Sequence, residues 1–185
     1  MLDRLLTLLG LGVNRPTPQD TDDTVDAVIR TSLGTIEVAL FETDAPLTVA
    51  AFRDNAAYLD GKDGDGATIF HRVIAGFMVQ CGGHRDDGSR KPPRPTVVSE
   101  ANNGHFNVRG TLAMARTADP NSASTQWFIN VVNNSSLDYG AFSAGYTVFG
   151  KVVRGMDVAD AIAAVPTQGG DVPFEPIRVE DVTLI

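Results

Sequence analysis

Apolar and polar residues alternate along much of this chain, and the alternation marks short strands separated by turns. Residues 25–41, VDAVIRTSLGTIEVALF, alternate on both sides of Ser32-Leu33-Gly34, a hairpin signal. In FHRVIAGFMVQ, residues 70–80, Val73, Ile74, Phe77 and Val79 favour strand, and Gly76 supplies a turn between two short extended pieces. The closing stretch IRVEDVTLI, residues 177–185, alternates again and is expected to pair with the opening hairpin. Two segments switch to helical spacing. Pro46 can open a helix whose apolar face is Val49, Phe52, Ala56 and Leu59, with Asn55 among them. A second follows Gly155 through Val158, Ile162 and Val165 and ends before Pro166. Many strands with two helices fit a closed barrel whose ends are plugged by helices.

The first 24 residues stand apart. MLDRLLTLLGLG has leucines at helical spacing, and VNRPTPQDTDDT follows as a proline-bearing acidic linker. Asp3 spoils the basic start of a secretory signal, no small-residue cleavage site follows, and the apolar stretch is too short to span a bilayer. Residues 1–24 are therefore expected to be a locally packed helix on a linker, with one domain over 25–185. A cytoplasmic location follows; the alternatives are a periplasmic one or a membrane-surface contact through residues 1–13. With Arg4 as the early cation, stable membrane insertion is not expected.

Charge and cysteine content narrow the functions. The 185 residues carry 15 Lys plus Arg against 23 Asp plus Glu, a net charge of −8, which argues against nucleic acid as a partner. Arg85, Arg90, Lys91 and Arg94 form the nearest thing to a basic patch. Asp86 and Asp87 dilute it, and Gly88, Pro92, Pro93 and Pro95 mark it as a surface loop, read as a solvated one.

The single cysteine rules out an internal disulfide. Cys81-Gly82-Gly83-His84 resembles a metal or nucleophile motif, but two ligands do not make a zinc site, and an inert buried thiol is the better reading. In DGKDGDG, residues 60–66, placing Asp63, Asp65 and Gly66 at the third, fifth and sixth positions of a calcium loop puts Gly61 first and Arg72 twelfth. Both should be acidic, so the calcium reading fails.

Three blocks carry a family resemblance. FHRVIAGFMVQ sets Arg72 beside Phe77 and Met78, with Gln80 two residues on. GTLAMARTADPNSASTQWFIN, residues 110–130, has a GTLAMA strand, a small-residue loop and a TQWFI strand. YTVFGKVVRGMDVADAIAAV, residues 146–165, is a strand followed by a short helix. In this order the blocks resemble the cyclophilin family of peptidyl-prolyl isomerases, bacterial-type members above all, from about Val25 to Ile185. The resemblance implies a mainly-β fold, a closed eight-stranded antiparallel β-barrel capped by two α-helices. It also implies isomerisation of X-Pro bonds in proline-containing peptides and unfolded protein clients, folding assistance of the chaperone kind, and no cofactor or metal.

The chemistry can be derived beside the name. Rotation about an X-Pro bond pyramidalises the prolyl nitrogen, and a donor aimed at it favours the twisted state over the planar one. An arginine is always charged and presents a planar fork of donors. The resemblance makes Arg72 that donor and places Phe77, Met78, Phe128 and Leu137 around the proline ring. Gln80 and the backbone at Ala115 and Arg116 would hold the preceding peptide, Gln126 would fix Arg72, and His71 and Tyr146 would stand at the rim. Trp127 should face away from Phe128, into the core.

One departure from the family falls in NNSSLDYG, residues 133–140, where Ser136 replaces a common aromatic, so cyclosporin binding is expected to be weak. A proline-binding module without catalysis would have lost Arg72 or Gln80. A barrel-type carrier would not need a charged fork beside a Phe-Met pair, and a serine hydrolase would need a nucleophile elbow, which no serine here has.

Overall fold

The computed structural model describes residues 24–140 and 142–185; the helix expected at 1–13 and its linker lie outside them. Ten strands form among these residues: β1 Ala27–Thr31, β2 Gly34–Leu40, β3 Arg72–Ile74, β4 Met78–Cys81, β5 Thr111–Met114, β6 Trp127–Asn130, β7 Val148–Arg154, β8 Thr167–Gln168, β9 Val172–Pro173 and β10 Val179–Leu184. The helices are α1 Pro46–Asp54, α2 Ala56–Asp60 and α3 Met156–Ala163, and Ser135–Leu137 makes a 3-10 turn.

Eight strands make one antiparallel sheet in the order β10-β1-β2-β7-β5-β6-β4-β3, with β8 and β9 as a separate hairpin. The closing strand pairs with the opening hairpin, Ile29 opposite Val182 and Ile36. The expected closed barrel does not form. The sheet is a strongly curled half-barrel whose edge elements meet through one bridge, Ile69 opposite Arg178. The reason lies at β3, three residues long, whose Val73 N–H donates to Asp171 O at 2.8 Å. The β8–β9 hairpin thus occupies the edge that closure would need.

Among the described residues, three helices replace the expected two. The helix opened by Pro46 breaks at Asn55, whose backbone (φ −92°, ψ 0°) leaves the helical region and starts α2 as a separate turn. Helix α1 has no side-chain cap of its own. Glu100, from a distant loop, accepts from Leu47 N–H (3.1 Å), Thr48 N–H (2.8 Å) and Thr48 Oγ1 (2.7 Å). It satisfies exposed helix donors and complements the positive end of the dipole.

Alternation sorts the side chains of the sheet into two sets. Val73, Val79, Cys81, Leu112, Trp127, Ile129 and Phe149 point into the main core with Ile29, Ile36, Phe52, Leu59 and Ile162. Trp127 packs edge-on against Phe52 and Phe70, at 6.0 and 5.9 Å between ring centres. The other set, Met78, Ala113, Phe128 and Val148, forms a second apolar cluster on the outer face.

The acidic 60–66 loop is clamped by a lysine. The Lys91 side chain is fully buried, and its Nζ donates to Tyr58 O (2.7 Å) and Gly66 O (2.6 Å) and lies 3.2 Å from both Asp63 carboxylate oxygens. Removing it strands two carbonyls and a carboxylate. Lys91→Ala should therefore cost about 2–4 kcal/mol, read as a lower urea midpoint with an unchanged denaturant slope. A loss under about 0.5 kcal/mol, the scale of ordinary surface substitutions, would show that the clamp contributes little.

Candidate active site

The pairing register builds the site. Arg72 on β3 lies opposite Gln80 on β4, Gln80 opposite Phe128 on β6, and Phe128 opposite Ala113 on β5. Cross-strand partners share a face, so this row stands on the outer side of the curled sheet. The turn after β3 has Gly76 at φ +70° and a bond from Phe77 N–H to Ile74 O, which returns the chain with Phe77 and Met78 beside Arg72.

Arg72, Phe77, Met78, Gln80, Ala115, Arg116, Phe128, Leu137 and Tyr146 line one cavity of about 240 Å³. Met78 and Phe128 are nearly fully buried in its floor, whereas Arg72 keeps 45 % of its side chain exposed at the mouth. Tyr146 meets Phe128 edge-on at 5.8 Å and carries the Arg116 guanidinium 4.5 Å above its ring. Arg116 is held further by Gly145 O and Thr117 O, each at 2.8 Å.

Two residues of the expected set stand outside this cavity. Gln126 lies behind the wall and accepts from Gln80 Nε2 at 2.8 Å; it orients the amide, and the ion pair on Arg72 comes from elsewhere. His71 turns away and its ring packs against His84 at 4.2 Å. Gly82 and Gly83 make room here: a Cβ on Gly83 would collide with the Gln126 side chain, and one on Gly82 with Thr125 O. The CGGH run is thus a close passage of two backbones. Cys81 itself is buried, and burial pushes its thiol up to about 12.

Sequence reasoning missed two sets of supporting residues. Asp171 places Oδ2 3.7 Å from Arg72 Nε, and its backbone, at φ 62°, is in the left-handed region, as no other non-glycine is among the described residues. Behind Phe77 and Leu137 lies a buried amide network. Asn134 Nδ2 donates to Phe77 O (2.9 Å) and Asn130 Oδ1 (2.7 Å), Asn130 Nδ2 to Asn107 Oδ1 (3.2 Å), and Asn107 Nδ2 to Leu137 O (3.0 Å). Such a network holds both pocket walls at a fixed distance. Local patterning carries no signal for either set, because each joins segments far apart in the chain.

Fold and site together define a mainly-β protein with an arginine at the mouth of an apolar pocket on the outer face of a curled sheet. Residues 26–184 match the family model "Cyclophilin type peptidyl-prolyl cis-trans isomerase/CLD". The chain is 44 % identical over 191 residues to peptidyl-prolyl cis-trans isomerase A of Dickeya dadantii, covering 100 % of this chain and 97 % of that protein. It is 46 % identical to peptidyl-prolyl cis-trans isomerase B of Escherichia coli, over 83 % of this chain and 96 % of that one. A cyclophilin from Cryptosporidium parvum, crystallised in the presence of the dipeptide Ala-Pro, has the same fold at 24 % identity, with a TM-score of 0.71 over 86 % of this chain and 98 % of its own. The chain belongs to the cyclophilin-type peptidyl-prolyl cis-trans isomerases. No helix among the described residues is long and apolar enough to cross a membrane.

The half-buried histidine next to Arg72 has a measurable signature. Burial, then His84, with Arg72 adding to them, lowers the His71 pKa from 6.5 to about 4. A depressed folded value means the unfolded chain binds the proton first, so this stability is full above pH 6.5 and is lost as pH falls towards 4. His71 should stay neutral above pH 5 in an NMR titration, and His71→Gln should flatten the stability slope between those limits. A His71 resonance titrating near 6.5 would contradict the burial argument.

Proposed function

We propose that this chain isomerises X-Pro bonds of peptides and unfolded proteins, with Arg72 stabilising the twisted amide, and that it assists protein folding by doing so. The supporting observation is that Arg72, Gln80 and the apolar Phe77, Met78, Phe128 and Leu137 line one open cavity. In the planar amide the prolyl nitrogen lone pair is delocalised, and the barrier to rotation is about 18–20 kcal/mol. At the twisted geometry the nitrogen regains its lone pair, and a guanidinium donor there interacts more strongly than in the ground state. Removing ~5–7 kcal/mol from the barrier raises the rate by about four to five decades. The pocket holds the ring, while Gln80, oriented by Gln126, and the backbone at Ala115 and Arg116 hold the residues before it. Asp171 restrains Arg72 from the hairpin side. The cytoplasm is the proposed compartment.

Arg72→Ala should lower kcat/KM on a short X-Pro peptide about a hundred- to a thousandfold, the range for losing one transition-state donor, with the circular dichroism spectrum unchanged. Arg72→Lys should fail as well, since a point charge cannot reproduce the fork. Asp171→Asn should slow the wild type and have no further effect in the Arg72→Ala background. Near wild-type turnover by Arg72→Ala would refute the mechanism.

Ser136 sits exposed in the 3-10 turn beside Leu137. A large apolar macrocycle such as cyclosporin finds no aromatic there, a deficit of about 2–4 kcal/mol by comparison with aromatic truncations at binding hot spots. That is about 30- to 900-fold in affinity. Titration of wild type and Ser136→Trp should show weak binding and a clear gain, respectively; tight wild-type inhibition would overturn the assignment.

A further inference from the structure

Beside the proline pocket lies a second cavity, of about 520 Å³, between the loop following His84 and the segment from Ala115 to Gln126. The two cavities share Gln80, Ala115 and Arg116 as a common wall. Arg90, Arg94 and Arg116 line the second one, and Lys91 forms part of its buried side. No Asp or Glu lines it, although the chain carries 23 acidic residues against 15 basic ones.

Asp87 and Asp119, on the two bounding loops, lie outside the lining and accept from Ser89 N–H (2.8 Å) and Asn121 N–H (2.9 Å), and three further acids nearby are paired with cations. Asp63 is bound to Lys91, Asp65 lies 2.6 Å from Arg85 Nη2, and Asp86 lies 2.9 Å from Arg178 Nη2. Among the described residues, Arg90, Arg94 and Arg116 have no carboxylate within ion-pair distance. Two of the three are nevertheless placed: the Arg94 guanidinium lies 5.8 Å from the Tyr58 ring centre, and Arg116 is tied to Gly145 O and Thr117 O. Three like charges gathered in one groove of an acidic protein repel one another and focus a positive potential there. Guanidinium forks match a carboxylate in both charge and shape.

We infer that this groove takes an acidic side chain of the substrate, an Asp or Glu two or three residues before the proline. The inference rests on the isomerase reading, in which Gln80 and the Ala115–Arg116 backbone hold the peptide preceding the ring. That shared wall leads straight into the groove. An extended peptide advances roughly 3.3–3.6 Å per residue, so the second and third residues before proline lie roughly 7–11 Å from it, within reach of the cations.

The test uses the full chain and peptides that differ at one position, with Glu, Ala or Lys two or three residues before the proline. At low salt kcat/KM should favour Glu over Lys by about tenfold, the attraction and the repulsion each contributing as a partly exposed pair does. The ratio should shrink towards one at 1 M salt, where the screening length is about 3 Å. Arg90→Gln with Arg94→Gln should bring the ratio below about threefold, since two of the three cations are then gone, and Arg94→Glu should move it towards Lys, since one cation is then replaced by an anion. Both side chains are exposed, so the fold should tolerate these changes. Equal rates for Glu and Lys, or a ratio that survives the double substitution, would overturn the groove's role. The Ala peptide separates the two readings: failure to turn it over would sink the isomerase assignment itself, whereas turnover without charge preference sinks the groove alone.

Discussion

Successive side chains of a pleated strand leave opposite faces, and in this protein that constraint ties the core to the site. Trp127 and Phe128 are neighbours in sequence, yet one packs between Phe52 and Phe70 while the other floors the pocket. The same holds for Val79 and Gln80, and for Leu112 and Ala113. A register slip of one residue would send Gln80 into the core and Cys81 to the surface. Burial of the inner row therefore holds the outer row in place, and the pocket inherits its rigidity from a core on the opposite face of the sheet.

Rigidity on the outer face has a second source. The pocket walls at Phe77 and Leu137 lie on loops, where backbone groups need partners. The Asn107, Asn130 and Asn134 side chains supply them from within the protein, and Asp138 adds an acceptor for Asn107 N–H at 2.7 Å. Polar satisfaction thus does for the loops what apolar packing does for the strands.

Charges divide into two groups by the same logic. Cations matched with carboxylates, such as Lys91 with Asp63, Arg85 with Asp65 and Arg109 with Asp160, hold loops to the scaffold. Arg90, Arg94 and Arg116 are matched with no acid among the described residues and border the cavities. Their lack of carboxylate partners follows from place in the fold, since the chain as a whole has acid to spare.

Much of the site is legible in the sequence itself. The cyclophilin resemblance of residues 70–80 and 110–130 singles out Arg72, Gln80 and Phe128, and period-two alternation, a local property that each strand carries in its own side chains, puts them on one face. The opening hairpin, the pairing of the last strand with it and the inward turn of Trp127 follow from the same alternation. Other features needed the tertiary structure. Asp171 comes beside Arg72 because a hairpin nearly a hundred positions later caps the edge of β3, and that capping leaves the sheet a half-barrel. Gln126 reaches Gln80 because Gly83 leaves room for it, and the groove cations meet because two loops fold against the same strand end. Alternation determines which face a residue takes; which residues meet on that face depends on loop conformation and edge pairing, set by packing over the whole chain.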